Sequence, residues 1–360
     1  MAPSRILLIR TSALGDVVHA LPVLTALRRN LPHATLGWVV ESSMAPLLEG
    51  HPDLDELLVV SLRTWRRRLH RRSTWAAMRD FLVGLEQFAP ELVLDLMGNH
   101  KAGALAALTL ADRRVGVTRK YRREPSSALW INEPVVPQGE HSVDRALAVL
   151  TALDLPTEPA DFGGSKLLRE EPAEAIDRLA ATQGPRILIQ PGAGWGNKRY
   201  PTARLGQVAQ LLEDQLGLRS WVAAGLGEED LAQEVVATSA GSAEVLIAPT
   251  LSYLGTFLRH SSLVIGGDTG PVHLAHALGT PVLCLMGPTA PETNGPYGDR
   301  DAALWRQLPC SFCHKRFDEA KLCLTDLQPE EIVERASYLL HRHPPQQKSR
   351  SPEAPKPLSP

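Results

Sequence analysis

Short apolar runs alternate with stretches of helical period along most of this chain. Arg5-Ile6-Leu7-Leu8-Ile9-Arg10 opens the series as a strand, and Val18, Leu21, Leu24 and Leu27 then recur at helical spacing through residues 17–29. Further strands are predicted at 35–40, 56–60, 91–95 and 113–117, with helices at 44–48, 74–88, 101–110 and 141–153. Pro156, Pro159 and Gly163-Gly164 interrupt the pattern and mark a linker. A second series follows, with strands at 186–190, 220–224, 244–248, 263–267 and 281–286 and helices at 202–216, 228–239, 251–259 and 272–278. A last helix, 329–341, is expected to pack back across the domain boundary. Strands separated by helix-length segments predict parallel sheets covered on both faces, hence an α/β protein of two Rossmann-like domains. The division expected is 1–160, 161–343 and a tail, 344–360, whose Pro, Ser, Lys and Gln content predicts disorder.

Composition narrows this only a little. A chain of 360 residues has room for two cores, and 44% hydrophobic with 22% charged residues is ordinary for a globular protein. The formal charge of −2 gives no global attraction to nucleic acid or membrane, so any steering must be local. No apolar run approaches a membrane span and no signal peptide precedes the first strand, so a cytoplasmic protein is expected. Of four cysteines, Cys284 falls in an apolar strand, whereas Cys310, Cys313 and Cys323 with His314 invite a zinc reading. A second Cys-x-x-Cys is missing and His314 adjoins Cys313 too closely to share a metal, so structural thiols and no metal are expected.

The candidate chemistry sits at strand ends. Leu263-Val264-Ile265-Gly266-Gly267 feeds a helix through Asp268-Thr269-Gly270-Pro271, with His273 one turn in. Free backbone N–H groups and the helix dipole make such a junction an anion site, unless Asp268 merely caps its helix. Asp16, in Thr11-Ser12-Ala13-Leu14-Gly15-Asp16, stands at the start of the first helix, either as a cap or as a general base, and Gly15 permits close approach of another backbone or a substrate. Lys198 follows the Gly-rich turn Gly192-Ala193-Gly194-Trp195-Gly196, where its ammonium can meet phosphate or water. Glu228 after Gly225-Leu226-Gly227 can hold ribose hydroxyls or cap a helix. The G-x-G-x-x-G spacing of dinucleotide-binding dehydrogenases is absent.

The runs Thr11-Ser12-Ala13-Leu14-Gly15-Asp16-Val17-Val18-His19 and Asp268-Thr269-Gly270-Pro271-Val272-His273-Leu274 resemble the two signatures of glycosyltransferase family 9, the ADP-heptose:lipopolysaccharide heptosyltransferases. The resemblance continues through Gln190-Pro191-Gly192-Ala193, Asn197-Lys198-Arg199-Tyr200-Pro201 and Gly225-Leu226-Gly227-Glu228-Glu229, and covers roughly residues 5–335. It implies a GT-B architecture, two Rossmann-like domains facing across a cleft, and inverting transfer of heptose from ADP-L-glycero-D-manno-heptose to the Kdo/heptose inner core. Asp16 would be the catalytic base. Ser12, Gly15, Lys198, Glu228, Leu251, Asp268, Thr269, Gly270 and His273 would bind the donor, with Leu251 near the adenine. The acceptor is anionic, and the first half concentrates cations: Arg63, Arg66, Arg67, Lys101, Arg123 and Arg145 are its expected contacts, while Arg71 and Arg72 read as a solvated basic face. The partners implied are the nucleotide sugar and a lipid A-core acceptor at the inner membrane, with no cofactor, no nucleic acid and a monomeric enzyme that could be held near an anionic leaflet by charge. Another sugar or acceptor within the family, or a nucleotide-binding α/β protein without transferase activity, is the alternative.

Overall fold

A computed structural model describes residues 3–182 and 184–344. The disorder expected for the tail therefore lies, from residue 345 onward, outside the described residues. The first half builds one parallel sheet from β1 (Arg5–Ile9), β2 (Thr35–Glu41), β3 (Glu56–Val60), β4 (Leu92–Asp95), β5 (Arg113–Val117) and β6 (Glu133–Val135), in the order β3-β2-β1-β4-β5-β6. Its helices are α1 (Leu14–Asn30), α2 (Ala45–Leu48), α3 (Leu62–Arg67), α4 (Arg72–Phe88), α5 (His100–Leu108) and α6 (Ser142–Leu147). Ile6 to Ile9 are fully buried, which is why β1 reads as a continuous apolar run rather than an alternating one.

The second half repeats the plan. β7 (Arg186–Gln190), β8 (Arg219–Ala224), β9 (Ala243–Ile247), β10 (Leu263–Gly267), β11 (Val282–Leu285) and β12 (Ala303–Leu304) pair in the order β12-β11-β10-β7-β8-β9, again all parallel. The helices are α7 (Ala173–Ala180), α8 (Thr202–Leu216), α9 (Glu229–Ala237), α10 (Leu251–His260), α11 (Gly270–Ala277), α12 (Pro291–Asn294), α13 (Leu322–Thr325) and α14 (Pro329–Arg342). In each sheet the direction of winding reverses once, between β1 and β4 and between β7 and β10. Open α/β sheets bind ligands beyond the carboxyl ends of the strands at such reversals. Asp16 follows β1, and the Lys198 turn and Asp268 follow β7 and β10, so the candidate residues stand at both reversal points.

The last helix departs from expectation. Ile332, Val333, Ala336 and Leu339 of α14 are buried with Leu205, Val208 and Leu212 of α8 in one cluster of the second half, so α14 covers its own sheet instead of crossing to the first. The halves meet elsewhere. The start of α1 abuts the start of α11, and a continuous apolar cluster runs from Leu21 and Leu24 to Val272 and Leu274.

Candidate active site

β1 ends at Ile9, and residues 10–13 carry the chain into α1, which begins at Leu14. Asp16 is thus inside the first helical turn, slightly deeper than its sequence context suggested. One carboxylate oxygen accepts the Ala13 N–H at 3.1 Å, and the other pairs with the Arg10 guanidinium at 2.7 Å. The capping role and a catalytic role are therefore not exclusive: Asp16 is held in position by backbone and Arg10 while its side chain stays 37% exposed. Gly15 beside it is a space-maker, since a Cβ there would lie 2.9 Å from the His273 ring of the other half. Gly270 returns the relation, since its Cβ would meet Leu14 at 2.6 Å. Ser12 is half-buried in the turn between β1 and α1.

Across this contact, Asp268 does not cap α11. Thr269 occupies the cap position, and the Asp268 carboxylate turns back to accept from Lys198 Nζ at 2.6 Å, Thr289 Oγ1 at 2.7 Å and His273 Nε2 at 2.8 Å. Burial alone would raise this carboxyl, but the hydrogen bond from His273 and the Lys198 ammonium outweigh it and hold Asp268 far below the usual carboxylate range. Its oxygens are occupied by protein, and these bonds fix the positions of Lys198 and His273. Lys198 is also 4.5 Å above the Trp195 ring, and Arg199 donates to the Ala193 carbonyl at 3.1 Å, which closes the Gly-rich turn. The buried Thr269 Oγ1, at the helix start, has no hydrogen-bond partner among the described residues.

Glu228 occupies the N-cap position of α9, but its side chain makes no capping hydrogen bond; the neighbouring Glu229 accepts the Gly227 N–H at 2.8 Å. The Glu228 carboxylate instead lies over Gly192 on the β7 turn, where a Cβ would meet it at 2.8 Å. Leu251, the first residue of α10, is half-buried against the main core.

Most of the candidate cations of the first half share a sheet edge with Asp16. Arg63, Arg66 and Arg67 lie on α3 after β3, and Lys101 and Arg123 follow β4 and β5, all at the carboxyl edge of one parallel sheet. β3 and β5 are each the second strand from β1 on opposite sides, about 10 Å away at ordinary strand spacing. A fully buried Arg122–Asp95 pair and the Glu124 N–H bonded to the Gly98 carbonyl at 3.0 Å tie the Arg123 loop to the approach to α5, which carries Lys101. Arg145 is half-buried on α6, and its Nε has no partner among the described residues.

The family model for glycosyltransferase family 9 (heptosyltransferase) matches residues 79–323. The chain belongs to glycosyltransferase family 9. Lipopolysaccharide heptosyltransferase 1 of Pseudomonas aeruginosa is 30% identical to this family 9 enzyme, over 93% of this chain and 98% of the relative. The heptosyltransferase WaaC of Escherichia coli with ADP superposes with a TM-score of 0.77 at 25% identity, covering 93% of this chain and 99% of WaaC. WaaC with ADP-2-deoxy-2-fluoro heptose superposes with a TM-score of 0.73, also at 25% identity. The architecture of this glycosyltransferase is GT-B, as its sequence implied.

Several site residues of this family 9 enzyme escape a reading of sequence motifs. His19 lies in the first motif but attracts no role by type. In the structure its Nε2 is 3.3 Å from His273 Nδ1. His273 Nε2 donates to the Asp268 carboxylate at 2.8 Å, and its other ring nitrogen shares a hydrogen bond with His19 Nε2. The chain His19–His273–Asp268–Lys198 thereby crosses from one half to the other. Burial first, then neighbouring His273 and His141, keeps His19 far below the ordinary histidine value and therefore neutral. Thr289 and Arg10 were equally invisible, because only the fold brings them to Asp268 and Asp16. The thiols Cys310, Cys313 and Cys323 are free and adjacent, the last pushed up to about 11 by burial and by the other two. Their loop donates the Phe312 and His314 N–H groups to the Gly287 and Pro288 carbonyls, each at 2.9 Å, and accepts from Asn197 through the Lys315 and Phe317 carbonyls. It braces both the Lys198 turn and the approach to Thr289.

Proposed function

We propose that this glycosyltransferase moves heptose from ADP-L-glycero-D-manno-heptose to the Kdo/heptose inner core of lipopolysaccharide, with inversion at the anomeric carbon. The observation that carries the reading is the meeting of two prepared strand ends, a partly exposed carboxylate at Asp16 and a cation aimed by Asp268 at Lys198, across the α1–α11 contact. Likeness along nearly the whole chain to a lipopolysaccharide heptosyltransferase 1 supports the choice of sugar and acceptor.

The proton of an acceptor hydroxyl passes to Asp16 as the oxygen attacks the anomeric carbon. The bond to the diphosphate oxygen breaks in the same displacement, and ADP leaves with the electron pair. Lys198, the Thr269 hydroxyl and the free N–H groups of Gly270 and Val272 supply positive potential where that charge develops; Pro271 has no N–H to offer. His273 keeps Asp268, and so Lys198, in register. Glu228 receives the ribose hydroxyls, Leu251 lies by the adenine, and Ser12 and Gly15 line the sugar side. Because Lys198 and the helix start carry the counter-charge, the proposed reaction uses no divalent metal. Arg63, Arg66, Arg67, Lys101, Arg123 and Arg145 grip the acceptor's carboxylates and phosphates. The acceptor's lipid places the reaction at the cytoplasmic face of the inner membrane. Release of ADP from ADP-heptose, followed with acceptors truncated at successive core sugars, tests the reading. Release with an acceptor ending in Kdo or inner-core heptose is expected, and none with any core acceptor overturns it.

A further inference from the structure

One surface of the first half lies outside the site just described. Arg68, Arg71 and Arg72, at the junction of α3 and α4, are exposed and form no ion pair among the described residues. Leu69, Trp75, Leu82 and Val83 beside them are 46%, 57%, 44% and 42% exposed. On α4 the buried residues Thr74, Phe81, Leu85 and Phe88 define the inward face. At 100° per residue, Arg72, Arg79 and Val83 fall opposite that face, with Trp75 and Leu82 nearly in line on its flank and the exposed Glu86 between Trp75 and Arg79. The Trp75 indole N–H donates to the Leu69 carbonyl at 2.7 Å, so the two apolar groups of the turn are fixed together. A solvated helix face needs neither a tryptophan nor a paired leucine and valine; Arg79 pairs with Asp80 at 3.2 Å, while Arg68, Arg71 and Arg72 meet no acid among the described residues.

We infer that the outer face of α3–α4 docks on an anionic lipid bilayer, Trp75, Leu69 and Leu82 entering the interface and Arg68, Arg71 and Arg72 meeting lipid phosphates. Basic residues with tryptophan and aliphatic side chains on one face are the chemistry of interfacial helices. The inference deepens the proposed use of a lipid-linked acceptor: Arg63, Arg66 and Arg67 on α3 would then stand at headgroup height, where the acceptor's anions emerge. No helix among the described residues is long and apolar enough to cross a membrane, so such an enzyme needs a surface contact to stay with a lipid substrate.

Sedimentation of the full chain with phosphatidylcholine vesicles, and with vesicles containing phosphatidylglycerol, tests this without donor or acceptor, so it stands or falls apart from the transfer reading. Binding to the anionic vesicles alone is expected. Each basic residue near such a surface contributes about 1 kcal/mol, about fivefold in affinity, so Arg71→Glu with Arg72→Glu should weaken binding by more than about tenfold. Leu82→Ser, whose side chain holds no other group in place, should also weaken it while turnover on a detergent-soluble, truncated acceptor stays unchanged. Binding that is equal on neutral and anionic vesicles, absent on both, or unaffected by both variants overturns the inference. So does anionic binding that the arginine variant abolishes but Leu82→Ser leaves intact, which would mark a charge contact without insertion.

Discussion

At the scale of single residues, the site depends on one buried carboxylate doing the aiming. Removing Lys198 takes the cation from the diphosphate and leaves Asp268 with only His273 and Thr289. Lys198→Ala is therefore expected to weaken ADP binding and to lower turnover by about 10²–10³-fold, the size seen when one preorganised charge partner of a leaving group is lost. Titration calorimetry with ADP and steady-state kinetics check both, and unchanged values would put Lys198 outside the phosphate path. Arg66 is exposed on α3 without a carboxylate partner among the described residues, so Arg66→Lys isolates geometry from charge. If the guanidinium forks an acceptor anion, the acceptor KM rises in Arg66→Lys as well as Arg66→Ala while the donor KM holds. Wild-type behaviour of both variants toward a soluble acceptor rules the contact out. Asp16, Lys198, Glu228 and Asp268 were legible in the sequence because each follows a strand end with glycines or a helix start beside it. His19 and Thr289 were not, because their partners His273 and Asp268 lie far along the chain, and Arg10 was not, because its pairing with Asp16 depends on how the chain turns between β1 and α1.

At the scale of elements, the apolar runs located the strands well, since a strand buried on both faces cannot hide its composition. What escaped was short or polar. α3 buries none of its residues, α7 buries only Ala175, and β6 and β12 are a few residues long at sheet edges, so hydrophobic periodicity had nothing to register. The stretch 141–153 proved to be a short α-helix, α6, continued as 3₁₀ turns. The packing of α14 was misjudged because an amphipathic helix announces that it has a buried face, not which sheet receives it. The α1–α11 junction is the element contact on which the site turns. His273 is fixed from both ends by Asp268 and His19, so it cannot give way to a new methyl group 2.9 Å from its ring. Gly15→Ala is thus expected to cost about 1–3 kcal/mol of stability and to lower turnover with it. Thermal melting alongside kinetics decides the point, and a melting point and rate equal to wild type would show that the two helix starts are free to separate.

At the scale of the whole molecule, the two halves meet over buried histidines. Burial is the first cause that lowers His19, His141 and His276, with neighbouring histidines adding to it. A histidine depressed in the folded state binds fewer protons than in the unfolded chain. The stability it contributes is complete above the ordinary value of 6.5 and is lost as pH falls below it. Asp268, lowered instead as a carboxylate, keeps its contribution until strong acid. Melting temperature should therefore drop between about pH 7 and about pH 5, with a slope of up to about 1.4 kcal/mol per pH unit for each such histidine. His19→Asn should flatten the slope, and a wild-type curve without one would mean that these rings are not held neutral. The central claim, that Asp16 of one half takes the acceptor's proton while the other half holds the departing ADP, is tested most directly by comparing wild type with Asp16→Asn. The asparagine oxygen still accepts from Ala13, which preserves the helix start, but an amide takes no proton. With ADP-heptose, a heptose-free Kdo acceptor and EDTA present, the wild type should release ADP in step with heptose transfer. The variant should bind donor with near-normal affinity and turn over about 10²–10⁴-fold more slowly. Equal turnover by the two proteins would contradict the account.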